Sequence, residues 1–424
     1  MSSLPMAKKL STVAGNHLLL EACVFLRNVI IARLLGAESL GEFIFLILAI
    51  RLFAMSTDLA TDRYILQVDQ SKLSSALAGS HYIAQIRGFF LAAMLLLMGL
   101  HNIHDISFAC YAFLAGSAFI RGFTHQGYRL KQRSLNFTPA LYVEGSTMLL
   151  GTLAIFTSIS IAPRLEIVCA CMLAQAGLHT ALSHILSDES YRAAANKEML
   201  VEMGKFGFPL LLTSLTMFWS MQGERVILSS IMSASEFAHF SMLFQLALVP
   251  ALLLGRIALT LGLPILALVK NNWQQFSTRL TAFQVAAYGI MFVFFMGFVI
   301  LANPTLALLF GPDFKAAFII VILVGLAQSI RLCRTPISIA AQALGQTDIP
   351  LKANLIRVAA SLMGAFFIYT GGSLTLLLAT ACIGEILAFV TQSILFTVRN
   401  PQTVKQPVRK TSPISERPAN VRIR

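Results

Sequence analysis

Long apolar stretches follow one another almost without interruption from residue 12 to residue 398, and that alone removes most folds from consideration. A membrane-spanning helix needs about 20 mainly apolar residues. Segments of that kind lie at 12–35, 38–62, 74–100, 106–128, 138–160 and 165–186, then at 205–232, 236–268, 278–302, 313–334, 350–370 and 374–398. Charged residues make up 12% of the chain and apolar residues 57%, with a mean hydropathy of +0.75. A soluble globule carries roughly 25% charged residues, so lipid must solvate most of this surface. The sequence predicts an all-α integral membrane protein of about twelve transmembrane helices. The longest stretch, 236–268, is expected to tilt, to kink near Pro250 or to end before Pro264.

A formal charge of +13 would suggest nucleic acid in a soluble protein, but here the basic residues sort by connection. Even-numbered connections and both termini hold most of them, including Lys72, Arg121, Arg129, Arg192, Arg279, Arg331 and Arg334. Odd-numbered connections hold Arg33, Arg164 and Lys315. That bias places both termini in the cytoplasm and argues against a nucleic-acid partner. Lys8 and Lys9 precede an apolar run, but His17, Glu21 and Arg27 inside it are foreign to a signal peptide, so it reads as a retained first helix. The basic tail 399–424 cannot bury a core and is expected to be a disordered cytoplasmic segment near anionic lipid. Cys23, Cys110, Cys169, Cys171, Cys333 and Cys382 all fall in or beside apolar segments, and their spacing suggests neither a disulfide framework nor a metal site. No cofactor is expected.

The chain reads as two related halves. "NVIIARLLGAESLGEF" from Asn28 is echoed by "RVILSSIMSASEFAHF" from Arg225, and "HQGYRLKQRSLNF" faintly by "AQALGQTDIPLKA". Six helices separate the copies, so the halves share one topology and a substrate path is expected between them. The expected division is an N-terminal six-helix bundle at 1–190, a cytoplasmic linker at 191–204 and a C-terminal bundle at 205–398, pseudo-symmetric around a central cavity.

Six arginines fall inside the spans: Arg27, Arg51, Arg87, Arg225, Arg256 and Arg357. Each would cost about 2.5–3.5 kcal/mol at a lipid-facing midplane, so they require acids, water or an anionic ligand. Glu21, Asp58, Glu144, Glu224 and Glu385 supply acids. Helical spacing groups several polar residues into stripes: His17–Glu21–Asn28, Arg51–Met55–Asp58–Asp62, Thr213–Thr216–Ser220–Glu224, Gln245–Val249–Arg256–Thr260 and Asn354–Arg357–Ser361. Such stripes are expected to face a hydrated cavity. Arg51, Arg256, Arg357, Arg27, Arg225, Gln245 and Asn354 are the substrate-cavity candidates. Arg27 and Arg225 could equally snorkel to an interface, Arg51 could pair with Asp58, and Arg87 reads as an anchor near a loop. Glu21, Asp58, Glu224 and Glu385 are candidates for ion coupling, with a local Glu224–Arg225 ion pair as the alternative for Glu224. His17 and His81 read as core histidines. A cavity of Arg with Thr, Ser, Asn and Gln suits phosphate oxygens and sugar hydroxyls.

No P-loop, HExxH or paired CxxC occurs, and no connection is long enough to shape an enzyme cleft, so the chain does not read as an enzyme. Four stretches carry a further signal: "ARLLGAESLGEFIF" from Ala32, "DLATDRYI" from Asp58, "KFGFPLLLTSL" from Lys205 and "GERVILSSIMSASEFAHFSM" from Gly223. With the twelve spans, parallel halves and intramembrane arginines, they resemble the polysaccharide-exporter branch of the multidrug/oligosaccharidyl-lipid/polysaccharide exporter superfamily, and within it the Wzx-type O-antigen flippases. Pro209 and Glu224–Arg225 fit the start of the family's second half, whereas Ala238 and Phe240 replace its usual Gly and Tyr, and Glu224 its usual Asp.

The resemblance implies a bacterial inner-membrane flippase for polyprenyl-diphosphate-linked O-antigen or exopolysaccharide repeat units. It also implies alternating access of two bundles, proton or sodium antiport as the drive, and polysaccharide-assembly proteins and membrane lipids as partners. A multidrug or toxin antiporter of the same superfamily is the first alternative; drug cations would favour an acidic, aromatic cavity. A membrane-embedded polymerase or glycosyltransferase, and a scaffold subunit of an envelope-synthesis complex, are the others.

Overall fold

The computed structural model describes residues 6–101, 105–134, 136–194 and 196–400, with residues 6–14 and 17 described by their backbone alone. The expected tail beyond Asn400 and the His17 side chain lie outside what is described. Among the described residues there is no strand, and nearly all of the chain is helical.

The helices are α1 (Met6–Ser56), α2 (Thr61–Gln67), α3 (Leu73–Leu100), α4 (Phe108–Arg121), α5 (Thr138–Ile161), α6 (Leu165–Ile185), α7 (Lys197–Leu228), α8 (Ala234–Ala267), α9 (Trp273–Phe310), α10 (Phe318–Ala343), α11 (Asp348–Tyr369) and α12 (Leu374–Arg399). α1 is two helices joined at Gly36, whose φ of 89° is open to glycine at little steric cost. α5 contains a π-helical turn, Leu141–Ser146. Polar side chains start the helices of the second half: Asn196, Ser233, Asn272 and Ser373 each accept from a backbone N–H of the first turn.

Eight of these helices are long and apolar enough to cross a membrane, or nine if the bent pair Leu18–Ser56 and Thr61–Gln67 is one span. The expected count of twelve is therefore not reached on length and apolarity alone. α4 has 14 residues, and α7 carries Lys197, Glu198, Glu202, Lys205, Glu224 and Arg225. Large apolar side chains stay exposed, such as Val293 at 70% and Leu308 at 75%, as lipid contact allows and water does not.

Three boundaries differ from expectation. The second span stops at Ser56, and residues 57–60 turn the chain before α2, so Asp58 and Asp62 leave the helix that carries Arg51. α7 begins at Lys197, inside the expected linker 191–204. α8 runs unbroken through Pro250 and Pro264 to Ala267; neighbouring groups in a membrane bundle can satisfy the carbonyls that a proline frees.

α3, α4, α5 and α6 pack with α1, while α8, α9, α10, α11 and α12 pack around one another and α7 packs on α11. The two sets meet chiefly where α1 lies against α7 and α8. One apolar cluster there joins Ile31, Leu40 and Phe43 of α1 to Phe237, Leu243 and Leu248 of α8 and Phe310 of α9. At the opposite end of the bundle, Tyr64 and Ile65 of α2, with Val68 just beyond it, pack with Met199 and Met203 of α7.

Candidate functional site

Burial of guanidinium groups decides where the site lies, because a buried cation needs an anion or water beside it. A cavity of about 120 Å³ opens between α1, α7 and α8, lined by Glu21, Arg27, Asn28, Arg51, Gln222, Arg225 and Gln245 among apolar neighbours. Asn28 Nδ2 donates to Gln245 Oε1 at 3.0 Å, joining the two sets of helices across it.

Arg27 and Arg225 are 5% and 7% exposed. The Arg27 guanidinium sits 5.2 Å from the centroid of the Phe43 ring, and its Nε has no hydrogen-bond partner. Arg225 Nη1 donates to Gln222 Oε1 at 2.9 Å, and Nε to Ser241 Oγ at 3.4 Å. Neither of these arginines, nor Arg51, has an ion-pair partner among the described residues. The cavity's one lining carboxylate among the described residues, Glu21, lies 4.0 Å from Arg256, Oε1 to Nη2, with both side chains about half exposed, and its charge also reaches Arg51. The lining therefore carries a surplus of cation and a row of amides, which suits an anion with hydroxyl groups nearby.

A second polar site lies wholly among the later helices. Glu385 of α12 is 3% exposed and is held by three arginines. Its Oε1 is 2.7 Å from Arg357 Nε and 2.8 Å from Arg331 Nη2; its Oε2 is 3.7 Å from Arg334 Nε. Asn354 Oδ1 accepts from Arg334 at 2.8 Å and Arg357 at 3.4 Å, and the Ser220 carbonyl accepts from Arg357 and Arg331. Glu224 lines the small pocket beside this cluster, together with Arg331, Arg357 and Glu385. Gln328 Oε1, Arg331 Nη1 and Arg334 Nη1 are buried there without hydrogen-bond partners.

The candidates from sequence thus separate. Arg27, Arg51, Arg225, Gln245 and Glu21 come together in the central cavity, with Arg256 at its edge. Arg357, Asn354, Glu224 and Glu385 fall in the second cluster. Asp58 joins neither: Arg87 Nη1 lies 3.6 Å from it, while Arg87 also donates to Thr57 Oγ1 and to the Ala54 carbonyl at the end of α1. The alternative Arg51–Asp58 pair is therefore not formed, because the chain leaves the helix after Ser56. A local Glu224–Arg225 pair is not formed either; consecutive residues point to different sides of α7 and enter different compartments.

Arg331, Arg334 and Gln222 were not among the candidates. The two arginines read as a cytoplasmic connection, whereas α10 runs on to Ala343 and leaves them inside the helix. Their 331–334 spacing on one helical face was the available signal. Gln222 gave none beyond its place three residues before Arg225.

A third group closes the end of the bundle where the basic connections lie. Arg129 reaches Asp62 at 2.9 Å and Glu144 at 3.0 Å, and donates to Tyr128 Oη at 2.8 Å. Burial alone would lower the Arg129 pKa, but Tyr128, Glu144 and Asp62 together raise it.

Comparison with known proteins agrees with this architecture. The lipid II flippase MurJ in an inward closed conformation superposes with a TM-score of 0.70 at 15% identity, covering 91% of this chain and 87% of that one. An inward-facing multidrug resistance MATE family transporter of the MOP superfamily gives 0.67 at 14% identity over 91% and 96%. An outward-facing conformation of such a transporter gives 0.59 at 15% identity over 94% and 97%. At these identities the likeness shows the fold: this is a multi-pass membrane protein with the architecture of MOP-superfamily transporters. No curated protein matches the sequence. Residues 30–319 match the family described as polysaccharide biosynthesis protein, and the chain belongs to that family.

Proposed function

We propose that the chain is a flippase for polyprenyl-diphosphate-linked oligosaccharide, an O-antigen or exopolysaccharide repeat unit, in a bacterial inner membrane with both termini cytoplasmic. Two bundles, 1–190 and 205–398, rock about the central cavity, with the stretch 191–204 between them. The diphosphate and sugars occupy the cavity while the polyprenyl tail stays in lipid, so the chain translocates its substrate without chemical change.

The observation that carries this reading is the set of Arg27, Arg51 and Arg225 in the central cavity, none with an ion pair within 4 Å among the described residues and only Glu21 as a carboxylate in the lining. Three guanidiniums at one interface favour a multiply charged phosphate group, and Asn28, Gln222 and Gln245 offer donors and acceptors to hydroxyls. A drug cation would be repelled there, which sets the multidrug reading second.

Glu224 is the coupling candidate this geometry favours. Glu385 is already held by three arginines, whereas Glu224 faces the same pocket with no ion pair within 4 Å among the described residues.

The test is transfer of a lipid-linked saccharide across proteoliposomes, read by enzymatic modification of sugars exposed on one face. Accelerated transfer that Arg225→Ala abolishes supports the proposal. No acceleration by the folded protein with any polyprenyl-diphosphate saccharide, alongside efflux of cationic drugs, would replace it with the multidrug reading.

A further inference from the structure

Arg33 lies in α1, three residues before the break at Gly36, and its side chain crosses to the later helices. Nε donates to the Leu309 carbonyl at 2.9 Å; Nη2 donates to the Leu308 carbonyl and, at 3.5 Å, to that of Ala307. These carbonyls form the last turn of α9, which ends at Phe310 before Gly311. The last carbonyls of a helix lack partners within it and carry the negative end of its dipole. A forked cation is well matched to such a terminus. Here the cation comes from the first half of the chain and the terminus from the second.

The same end of the interface is tightly closed. A Cβ on Gly41 of α1 would lie 1.8 Å from the Ala234 carbonyl oxygen at the start of α8. The Phe25 and Phe310 rings meet edge to face at 5.7 Å. Further along α1 and α8, toward the other end, side chains become exposed and the charged contact is the looser Glu21–Arg256 pair at 4.0 Å. A glycine with positive φ sits beside each partner of the Arg33 contact: Gly36 at 89° and Gly311 at 129°. Each can absorb a backbone rotation that other residues resist.

We infer that Arg33 is the latch of the outer gate. Its cap on α9 holds the two halves together at the end remote from the termini, and it must release before the central cavity opens on that side. This rests on the alternating-access reading above. The latch lies exposed at the helix end, where its cation and carbonyls can exchange one another for water or lipid head groups, as a contact made and broken in every cycle requires.

The experiment uses a cysteine reporter in the cavity wall, Leu252→Cys, and a membrane-impermeant maleimide applied to one face at a time. The native cysteines, of which only Cys171 is partly exposed, set the background. Arg33→Ala is expected to raise labelling from the outer face about tenfold, the loss of a charge-assisted hydrogen-bond set, and to lower labelling from the inner face. Arg33→Lys, which keeps the charge but not the fork, should fall between. A general folding defect would raise labelling from both faces, and Arg33→Lys then decides: outer-face labelling no faster than wild type overturns the latch. Wild-type labelling from both faces, with Arg33→Ala unchanged, overturns the latch and leaves alternation standing. No outer-face labelling of either protein overturns alternation and the latch together.

Discussion

Arg357 Nε lies 2.7 Å from Glu385 Oε1, joining α11 to α12 with both side chains almost fully buried. Arg331 and Arg334 of α10 share the same carboxylate. Three helices are thus tied through one acid, and the Ser220 carbonyl adds α7 to the set. The arrangement depends on Glu385 being ionised, since without it three guanidiniums face one another in a low-dielectric interior.

Glu385→Gln is therefore expected to destabilise the protein strongly. Removing one partner of a buried ion pair costs about 3–5 kcal/mol because the other charge is left uncompensated. Thermal unfolding of the detergent-purified protein measures this. A melting temperature equal to that of the wild type would show that the cluster is hydrated and not a structural tie.

Sequence periodicity made the helical membrane architecture legible, because lipid leaves so few charges that the polar exceptions stand out. Arg27, Arg225 and Gln245 were recognisable for the same reason. What periodicity could not show was which neighbouring helix each stripe faces. The Asn354–Arg357–Ser361 stripe looked equivalent to Gln245–Val249–Arg256–Thr260, yet Arg357 and Asn354 meet α10 and α12 while Gln245 meets α1. Arg331 and Arg334 were hidden by a helix end placed nine residues early. The Arg51–Asp58 stripe failed because nothing local announces the turn at 57–60, where Ala60 adopts φ 49°.

Arg225→Ala should remove transport while leaving the fold intact. The side chain's protein contacts are the neutral groups Gln222 and Ser241, so its loss strands no buried carboxylate. A charge-assisted hydrogen bond to substrate is worth about 1.5–3 kcal/mol, or roughly 10- to 150-fold in affinity. Transfer assays at several substrate concentrations, beside a melting curve, check both halves of the expectation. Unchanged transfer would remove Arg225 from the substrate path.

Arg256→Glu and Arg357→Glu should part company, although the two residues look alike in sequence. Arg256 is 57% exposed and its pair with Glu21 spans 4.0 Å, so reversal is expected to alter stability by less than about 1 kcal/mol while reducing transport. Arg357 is 6% exposed beside Glu385, and its reversal should prevent accumulation of folded protein. Fluorescence-detected size exclusion of both variants distinguishes them, and equal folded yield would place Arg357 in a hydrated path.

Glu224→Gln should uncouple transfer from its driving gradient. The substitution keeps the shape of the side chain and removes its ability to ionise, leaving Glu385 as the acid of that pocket. In proteoliposomes the variant is expected to equilibrate substrate between leaflets at a basal rate that no longer responds to a proton or sodium gradient. A response as large as that of the wild type would exclude Glu224 as the coupling group.

His125 gives the expected pH dependence outside the helices. Its Nδ1 accepts from the Gly127 N–H at 2.9 Å, and its Nε2 lies 2.8 Å from the Glu189 carbonyl, a pairing that requires the neutral ring with hydrogen on Nε2. Burial lowers its pKa below the ordinary 6.5, only partly opposed by the hydrogen bond to Glu189. A histidine with a depressed folded value favours the folded state fully above its unfolded pKa. That contribution declines as pH falls below about 6.5 and is lost on passing through the folded value. Protonation at Nδ1 would also break the bond from Gly127, loosening the hold on the 187–194 stretch, which His81 shares through the Arg192 carbonyl at 2.8 Å. Hydrogen exchange and limited proteolysis of that stretch should therefore accelerate at pH 5 relative to pH 7.5, after correction for intrinsic rates. In His125→Gln, which carries no titrating ring, the acceleration should be smaller; an identical pH response in both proteins would assign the effect to another group.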